Sequence, residues 1–331
     1  MRQGAPSKVS VVIVNWNGER FLERCLTALQ AQTIVPHEVI LVDNASSDGS
    51  LDIVRRFPNV RLLAQTENLG FARGNNLALA AAAPDSEWIA LLNPDAFVEA
   101  SWLETLLSAA EAHPGFDVFA SQLLNAADPS KLDGAGDVYH VSGLAWRMGC
   151  GEAASSHSQC VREVFSPCAA AAMYRHRALL QLGGFDEDYF CYIEDVDLGF
   201  RLRLAGYRCL YVPTSVARHV GSGTTGGQHS DFAVYHGHRN LVWTYLKNMP
   251  TLLFWLFLPM HLAMNLTTVI AFALRGQGRT VLRAKRDAIR GLPKMWRQRR
   301  AIQATRVASL RDLWRVMTVA IVPRRRGRSA P

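Results

Sequence analysis

Six cysteines (25, 150, 160, 168, 191 and 209) occur without any Cys-x-x-Cys spacing, so neither a zinc ribbon nor a redox pair can be argued. Residues 1–10 are polar and lack the apolar core of a signal peptide. Reduced thiols in a cytosolic setting are therefore the expectation. No internal repeat is present. Charged residues are sparse, 19% against 49% hydrophobic, which excludes a disordered or collagen-like chain. Aromatic residues are not interleaved with the basic ones as a stacking platform, so no nucleic-acid partner is expected.

What is there is an uneven charge. The 331 residues carry a net +8. Residues 275–331 hold 17 Lys and Arg against Asp287 and Asp312, a net +15, which leaves −7 on residues 1–274. The protein is an acidic body with a basic tail. At about 150 residues per domain, this length suits one large or two modest domains.

The first 120 residues alternate between two periods. Val9–Val14, Val39–Val42, Val60–Ala64 and Trp88–Leu92 are short apolar runs of the kind buried in a parallel sheet. Residues 18–31, 50–57, 71–83 and 101–112 read as helices between and after them. Strands and helices this closely spaced predict a doubly wound α/β sheet. Further on, 169–175 and 207–212 read as strands, and 176–182, 196–205 and 232–247 as helical. Residues 122–165 read as a loop-rich insertion.

In such sheets ligands bind beyond the carboxyl ends of the strands. The residues there are Asn15-Trp16-Asn17, Asp43 through Asp48, and Asn93-Pro94-Asp95. Together they outline one site. A carboxylate at Asp95 suits a hard divalent cation shared with two phosphates, although Asn-Pro-Asp is also good turn chemistry. Asp43 can accept a hydrogen bond from a ligand N–H, or the segment can be a plain loop with Ser47 or Asp48 capping the next helix. Residues 183–206 pack Asp186, Glu187, Asp188, Glu194, Asp195 and Asp197 into twelve positions. Such crowding calls for a cation or a base-catalytic role, or else it caps the helix that carries Arg201 and Arg203. His219 is a lone histidine, followed by Gly221-Ser222-Gly223, whose backbone N–H groups can face a phosphate.

These anchors, in this order, resemble the family-2 glycosyltransferases, and within them the rhamnosyltransferase-like branch. The anchors are VSVVIVNWNG (9–18), VDNASSDGS (42–50), NLGFARGNN (68–76), LLNPD (91–95), the 183–198 block and His219-Val220-Gly221-Ser222. The resemblance covers 9–249 and implies a GT-A fold, Rossmann-like, with inverting transfer from a nucleoside-diphosphate sugar. It implies that Asp43 contacts the pyrimidine base, and that Asn15, Asn17, Asn68, Arg73, Asn93 and Asp95 lie at the donor. It implies Asp95 and His219 at an Mg²⁺ or Mn²⁺ ion, and Asp195 as general base beside Glu194. Asn93 departs from the family's pattern, which often has an aspartate there. The implied donor is a dTDP- or UDP-sugar, by branch dTDP-L-rhamnose. The implied acceptor is a lipid-linked or polysaccharide glycan of the cell wall or surface.

Residues 251–274 contain no Asp, Glu, Lys or Arg and are long enough to span a bilayer. Pro259, His261 and Asn265 interrupt them. A single span would place the +15 tail outside, against the positive-inside tendency. The expectation is re-entrant or interfacial insertion at the cytoplasmic face of the cell membrane. Ile302, Leu310, Leu313, Met317 and Ile321 suggest one amphipathic helix that leads to Arg324–Arg326 and an anionic membrane surface. The division expected is 1–249 for the glycosyltransferase domain and 250–331 for a membrane-associated helical tail. Two rival readings are a processive polysaccharide synthase, disfavoured by the lack of a Gln-x-x-Arg-Trp element, and a non-catalytic membrane adaptor.

Overall fold

Val9–Asn15 is buried at all seven positions, as a β-branched run with no polar face must be in order to stay out of water. It is strand β1 of a computed structural model that describes residues 8–156, 159–221, 226–227 and 229–320. The first half continues α1 (Glu19–Gln30), β2 (Glu38–Asp43), α2 (Ser50–Arg55), β3 (Val60–Ala64), α3 (Gly70–Ala81), β4 (Trp88–Leu92), β5 (Ala96–Val98) and α4 (Trp102–Ala112). Each falls within two residues of the range its sequence period predicts, apart from β5, a short strand the sequence did not announce. Helix α1 buries Leu22, Cys25, Leu26 and Leu29, its helical stripe.

The second half is more strand-rich than expected. It runs β6 (Val118–Asn125), β7 (Leu132–Gly134), β8 (Asp137–His140), β9 (Ala145–Arg147), β10 (Arg162–Val164), β11 (Ala171–Arg175), α5 (His176–Gln181), α6 (Glu194–Leu204) and β12 (Cys209–His219). Residues 122–165 remain largely loop, as expected, but they also carry the end of β6 and the short strands β7–β10. The main sheet has the order β10-β12-β6-β11-β4-β1-β2-β3. Strands β4, β1, β2 and β3 are parallel, and β11 runs antiparallel between β4 and β6. Strand β12 is longer than predicted. Its far end pairs with both β5 and β6, and that carries His219 to Ala96 and Asn125.

The chain ends in α7 (Asp231–Asn248), α8 (Thr251–Leu274), α9 (Gly278–Ala304), α10 (Leu310–Val316) and β13 (Met317–Thr318). The single amphipathic helix expected around 302–321 is instead broken. Helix α9 stops at Ala304, and Val307 and Ala308 donate backbone hydrogen bonds to Leu204 O. A new helix then starts at Ser309, whose side chain and Asp312 form a reciprocal cap. Strand β13 joins β8. Ile321 and Arg324–Arg326 lie outside the described residues.

The tail is not detached from the body. Phe165, Val196 and Phe200 share one apolar cluster with Tyr245, Met249, Phe254 and Leu313. In α8 the polar interruptions seen in the sequence form a docking seam. His261 stacks on Tyr245 at 4.0 Å and 8°, with its Nδ1 2.7 Å from Ser142 O. Asn265 Oδ1 accepts from Lys285 Nζ of α9 at 2.5 Å. The other side of α8 exposes Trp255, Leu256, Leu262, Leu266 and Ile270. Among the described residues α8 is the one helix long and apolar enough to cross a membrane.

Candidate active site

The carboxyl ends of β1, β2 and β4 meet as the topology requires. Asn15 and Asp43 are register partners, and both are buried. Asp43 Oδ1 accepts from Asn15 Nδ2 at 2.9 Å and from Ser46 Oγ at 2.7 Å, and Oδ2 accepts from Ser46 N at 2.9 Å. Ser46 Oγ in turn accepts from Asn17 N at 2.9 Å. Asn17 holds φ 48, which turns its side chain back to accept from Ser47 N at 2.8 Å. Asp48 accepts from Glu19 N and Ser50 N, tying together the starts of α1 and α2. Gly18 is required here, since a Cβ would lie 2.1 Å from Asn15 Oδ1. This network fixes the strand ends in one geometry.

The NLGFARGNN segment enters α3. Asn68 accepts from Gly70 N at 2.9 Å, a local turn bond. Arg73 is exposed, with Nε 3.8 Å from Glu187 Oε2. Asn76 bonds Phe185 on both its backbone N–H and C=O, at 2.8 and 2.9 Å. In this structure the segment faces the acidic block as much as the strand ends.

A second cluster joins β4 to β12. Asp95 Oδ1 lies 3.3 Å from His219 Nε2, and both side chains are buried. Asn93 Nδ2 stands 3.5 Å from the same Nε2, while Asn93 Oδ1 is buried without a hydrogen-bond partner. On the other edge of the ring, Asp133 Oδ2 accepts from His219 Nδ1 at 2.8 Å. Asp133 is itself ion-paired with Arg147. Burial alone would push His219 down, but the neighbouring Asp95 and Asp133 carboxylates carry it above its ordinary value. A buried carboxylate and an orphaned amide oxygen are hard oxygen donors suited to Mg²⁺ or Mn²⁺, joined here by a softer imidazole nitrogen. A carboxylate behind the far ring nitrogen is the usual support for a metal-binding histidine. No group of three His, Cys, Asp or Glu is placed to hold a metal among the described residues. A diphosphate would have to complete the shell. Ser222 and Gly223 lie outside the described residues.

The six acids of the 183–206 block divide by role. Lys247, almost wholly buried, pairs with Asp186 at 2.5 Å and Asp197 at 2.8 Å. Asp197 also accepts from Arg201 Nε and Asn248 Nδ2. Asp188 pairs with Lys294, and Glu187 lies near Arg73. Four acids are thus matched by bases, mostly on other helices, and none of them caps α6, whose N-cap Ile193 makes no side-chain bond. Among the described residues Glu194 and Asp195 have no ion-pair partner. Glu194 is 7% exposed, with Oε2 buried and unpartnered. Burial, and then the Asp195 charge, raise its carboxyl well above the usual range. Asp195 is partly exposed and accepts from Ala169 N at 3.2 Å and Val196 N at 2.8 Å. Burial raises it too, opposed by the Ala169 N–H and by Arg147. The two adjacent carboxyls thus sit in different environments, Glu194 inward and Asp195 outward, the kind of arrangement that separates acid and base roles. The turn before them is strained. Phe190, Tyr192 and Ile193 have φ of 63, 65 and 69, at a cost of roughly 1–3 kcal/mol each.

Three residues escaped the sequence reading: Asp133, Asp137 and Arg147. All come from 122–165. Asp137 is buried beside Ser166 and raised well above its usual value by burial and then by Asp195. The acidic, glycine-rich run Asp133-Gly-Ala-Gly-Asp137 was the available signal, masked by its resemblance to an ordinary turn.

The sequence pattern of glycosyl transferase family 2 matches residues 10–179. An N-acetylglucosaminyl-diphospho-decaprenol L-rhamnosyltransferase of Mycobacterium tuberculosis is 33% identical over 237 residues, 65% of this chain and 77% of that protein. Rhamnosyltransferase WbbL of Escherichia coli K12 is 27% identical, over 64% of this chain and 83% of its own. Among solved structures, GalNAc-T7 with UDP, GalNAc and Mn²⁺ superposes with a TM-score of 0.58 at 15% identity, over 74% of this chain and 48% of its own. That last likeness shows the GT-A fold. With the pattern spanning half the sequence and the rhamnosyltransferases aligning over the body, the chain belongs to glycosyl transferase family 2 and is rhamnosyltransferase-like.

Proposed function

We propose that this glycosyltransferase transfers L-rhamnose from dTDP-L-rhamnose, with inversion, to a lipid-diphosphate-linked N-acetylglucosamine during cell-wall or surface-glycan assembly. The observation that carries the reading is the presence of two separate stations in one fold: Asp95 with His219 at the end of β12, and Asp195 at the start of α6. The similarity to the mycobacterial and enterobacterial rhamnosyltransferases supports the sugar and the acceptor class.

In this reading Asn15, Asn17 and Asp43 seat the pyrimidine, with Asn68 and Arg73 flanking the donor. Arg73 would then leave Glu187 for the donor. Asp95 and His219 would hold Mg²⁺ or Mn²⁺, with the Asn93 amide oxygen available to it, and such an ion would neutralise charge on the departing nucleoside diphosphate. Asp195 accepts the proton of the acceptor hydroxyl as that oxygen attacks the anomeric carbon. The C1–O bond to the diphosphate breaks as the new glycosidic bond forms, and attack from the opposite face inverts C1. Glu194, held inward, stays protonated and keeps a second charge away from Asp195.

Residues 1–249 form the catalytic unit and 250–331 the membrane-associated helical unit. Helix α8 lies in the plane of the cytoplasmic leaflet. Its polar seam is committed to the body, and its exposed apolar face and the arginines of α9 meet an anionic surface. The test is transfer from dTDP-L-rhamnose to N-acetylglucosaminyl-diphospho-decaprenol, with Mn²⁺ and then with chelator. Product that carries one added deoxyhexose, lost on chelation, is expected. Transfer of a different sugar, or transfer unaffected by chelator, overturns the donor or the metal respectively.

A further inference from the structure

Asn240 lies within α7 and has no exposed surface. Its single amide nitrogen faces three backbone carbonyls: Tyr189 O at 3.0 Å, Cys191 O at 3.0 Å and Tyr192 O at 2.7 Å. Arg239 beside it donates Nη2 to Asp188 O and Tyr189 O, both at 3.0 Å. These carbonyls belong to the turn that delivers the chain into α6, just ahead of Glu194 and Asp195.

That turn is one the local sequence does not favour. Phe190, Tyr192 and Ile193 all hold left-handed φ, and none is glycine. For a β-branched residue such as Ile193 this conformation is a genuine outlier. Carbonyl dipoles aimed at one point also repel one another, unless a donor stands among them. The Asn240 amide is that donor. On the opposite side, Ala72 N of α3 donates to Phe190 O at 3.1 Å. A Cβ at Gly70 would come within 2.6 Å of the Phe190 ring. The turn is therefore clipped between α3 and α7.

Ile193 is the last residue before α6. Its left-handed twist sets the direction in which the first helical residues leave. Glu194 goes inward, and Asp195 goes toward Ala169 N. Relaxation of Ile193 to the right-handed region would swing both carboxyls.

We propose that Asn240 is a positioning residue for Asp195: by holding the 189–192 carbonyls together it maintains the strained turn that aims the Asp195 carboxylate at the acceptor. Asn240 contacts no substrate. The inference rests on Asp195 as general base, as proposed above.

A double-mutant cycle with hydrogen exchange tests it. Asn240→Ala, and Asn240→Leu, which keeps the volume but not the donor, are compared with Asp195→Asn and with the double variants. The assay uses dTDP-L-rhamnose and N-acetylglucosaminyl-diphospho-decaprenol. Nucleotide affinity checks that the donor half is folded. Either Asn240 variant should lower kcat about 100-fold, the scale of a 1 Å misplacement, without changing dTDP affinity. In the Asp195→Asn background the same substitution should cost nothing further, because the group it aims is gone. Amide exchange of residues 190–196 should speed at least about tenfold as the turn opens.

Wild-type kcat in both Asn240 variants, beside a collapsed Asp195→Asn, overturns the role of Asn240 alone. A loss that multiplies in the double variant overturns it in favour of a merely structural role. Unchanged exchange in 190–196 overturns it whatever the acceptor. Full activity of Asp195→Asn overturns the base assignment, and with it this role.

Discussion

Lys247 Nζ lies 2.8 Å from Asp197 Oδ1, and neither side chain reaches solvent. The pair joins α7 to the helix that begins with Glu194 and Asp195, two residues beyond Asp195. Burial would push Asp197 up, but Lys247 and Arg201 hold it at about 2. Because its folded value lies below the unfolded one of about 3.9, Asp197 adds stability above pH 4 and loses it as the pH falls toward 2. A shift of this size contributes roughly 2 kcal/mol. Lys247→Met removes the cation and leaves the carboxylate buried. It should destabilise the protein by about 3–5 kcal/mol in urea unfolding. A change near zero would mean that Arg201 and Asn248 suffice.

The metal station makes a separate prediction. Asp95→Asn and His219→Ala should each reduce dTDP affinity in Mn²⁺ to the level seen with chelator. Asn93→Asp replaces the orphaned amide oxygen with a charged one, and should tighten Mn²⁺ as read by its paramagnetic resonance with nucleotide present. Weaker Mn²⁺ binding in Asn93→Asp would show that the added charge repels Asp95 rather than sharing the ion.

Much of this site was legible in the sequence. The strand ends around Asn15, Asp43 and Asp95 follow from buried apolar runs that stop at polar residues. Two things were not. His219 reaches Asp95 because β12 extends past Val212 through a register shift between Val212 and Val216, and nothing in the period-2 pattern marks a strand that continues through an irregularity. Asp133, Arg147 and Asn240 act through contacts between residues that lie far apart along the chain, where local periodicity carries no information. The polar residues His261 and Asn265, read as interruptions of a span, became a seam against Tyr245, Ser142 and Lys285.

The Asn15–Asp43 network, proposed above to seat the nucleotide, should tolerate no added methyl group at Gly18. Gly18→Ala places a Cβ against Asn15 Oδ1. Relief requires Asn15 to leave Asp43. Overpacking of this kind costs about 1–3 kcal/mol, and if that cost falls on the binding-competent geometry, dTDP affinity should drop about 5- to 150-fold. Calorimetric titration of dTDP measures it, and unchanged affinity would place the pyrimidine elsewhere.

Helix α8 should bind membranes through its exposed apolar face. Trp255→Ser combined with Leu262→Ser should abolish co-sedimentation with phosphatidylglycerol vesicles and leave dTDP affinity unchanged. Binding to wild type should weaken as salt rises, since the α9 arginines contribute about 1 kcal/mol each near an anionic surface. Equal binding to phosphatidylcholine vesicles at all salt concentrations would remove the electrostatic part.

The most direct measurement is a single-turnover comparison of wild type with Asp195→Asn, using dTDP-L-rhamnose, Mn²⁺ and N-acetylglucosaminyl-diphospho-decaprenol. A general-base role for Asp195 predicts that rhamnosyl transfer falls by about 100-fold or more with dTDP affinity intact, the range for loss of a positioned base. Transfer at the wild-type rate by Asp195→Asn would contradict it.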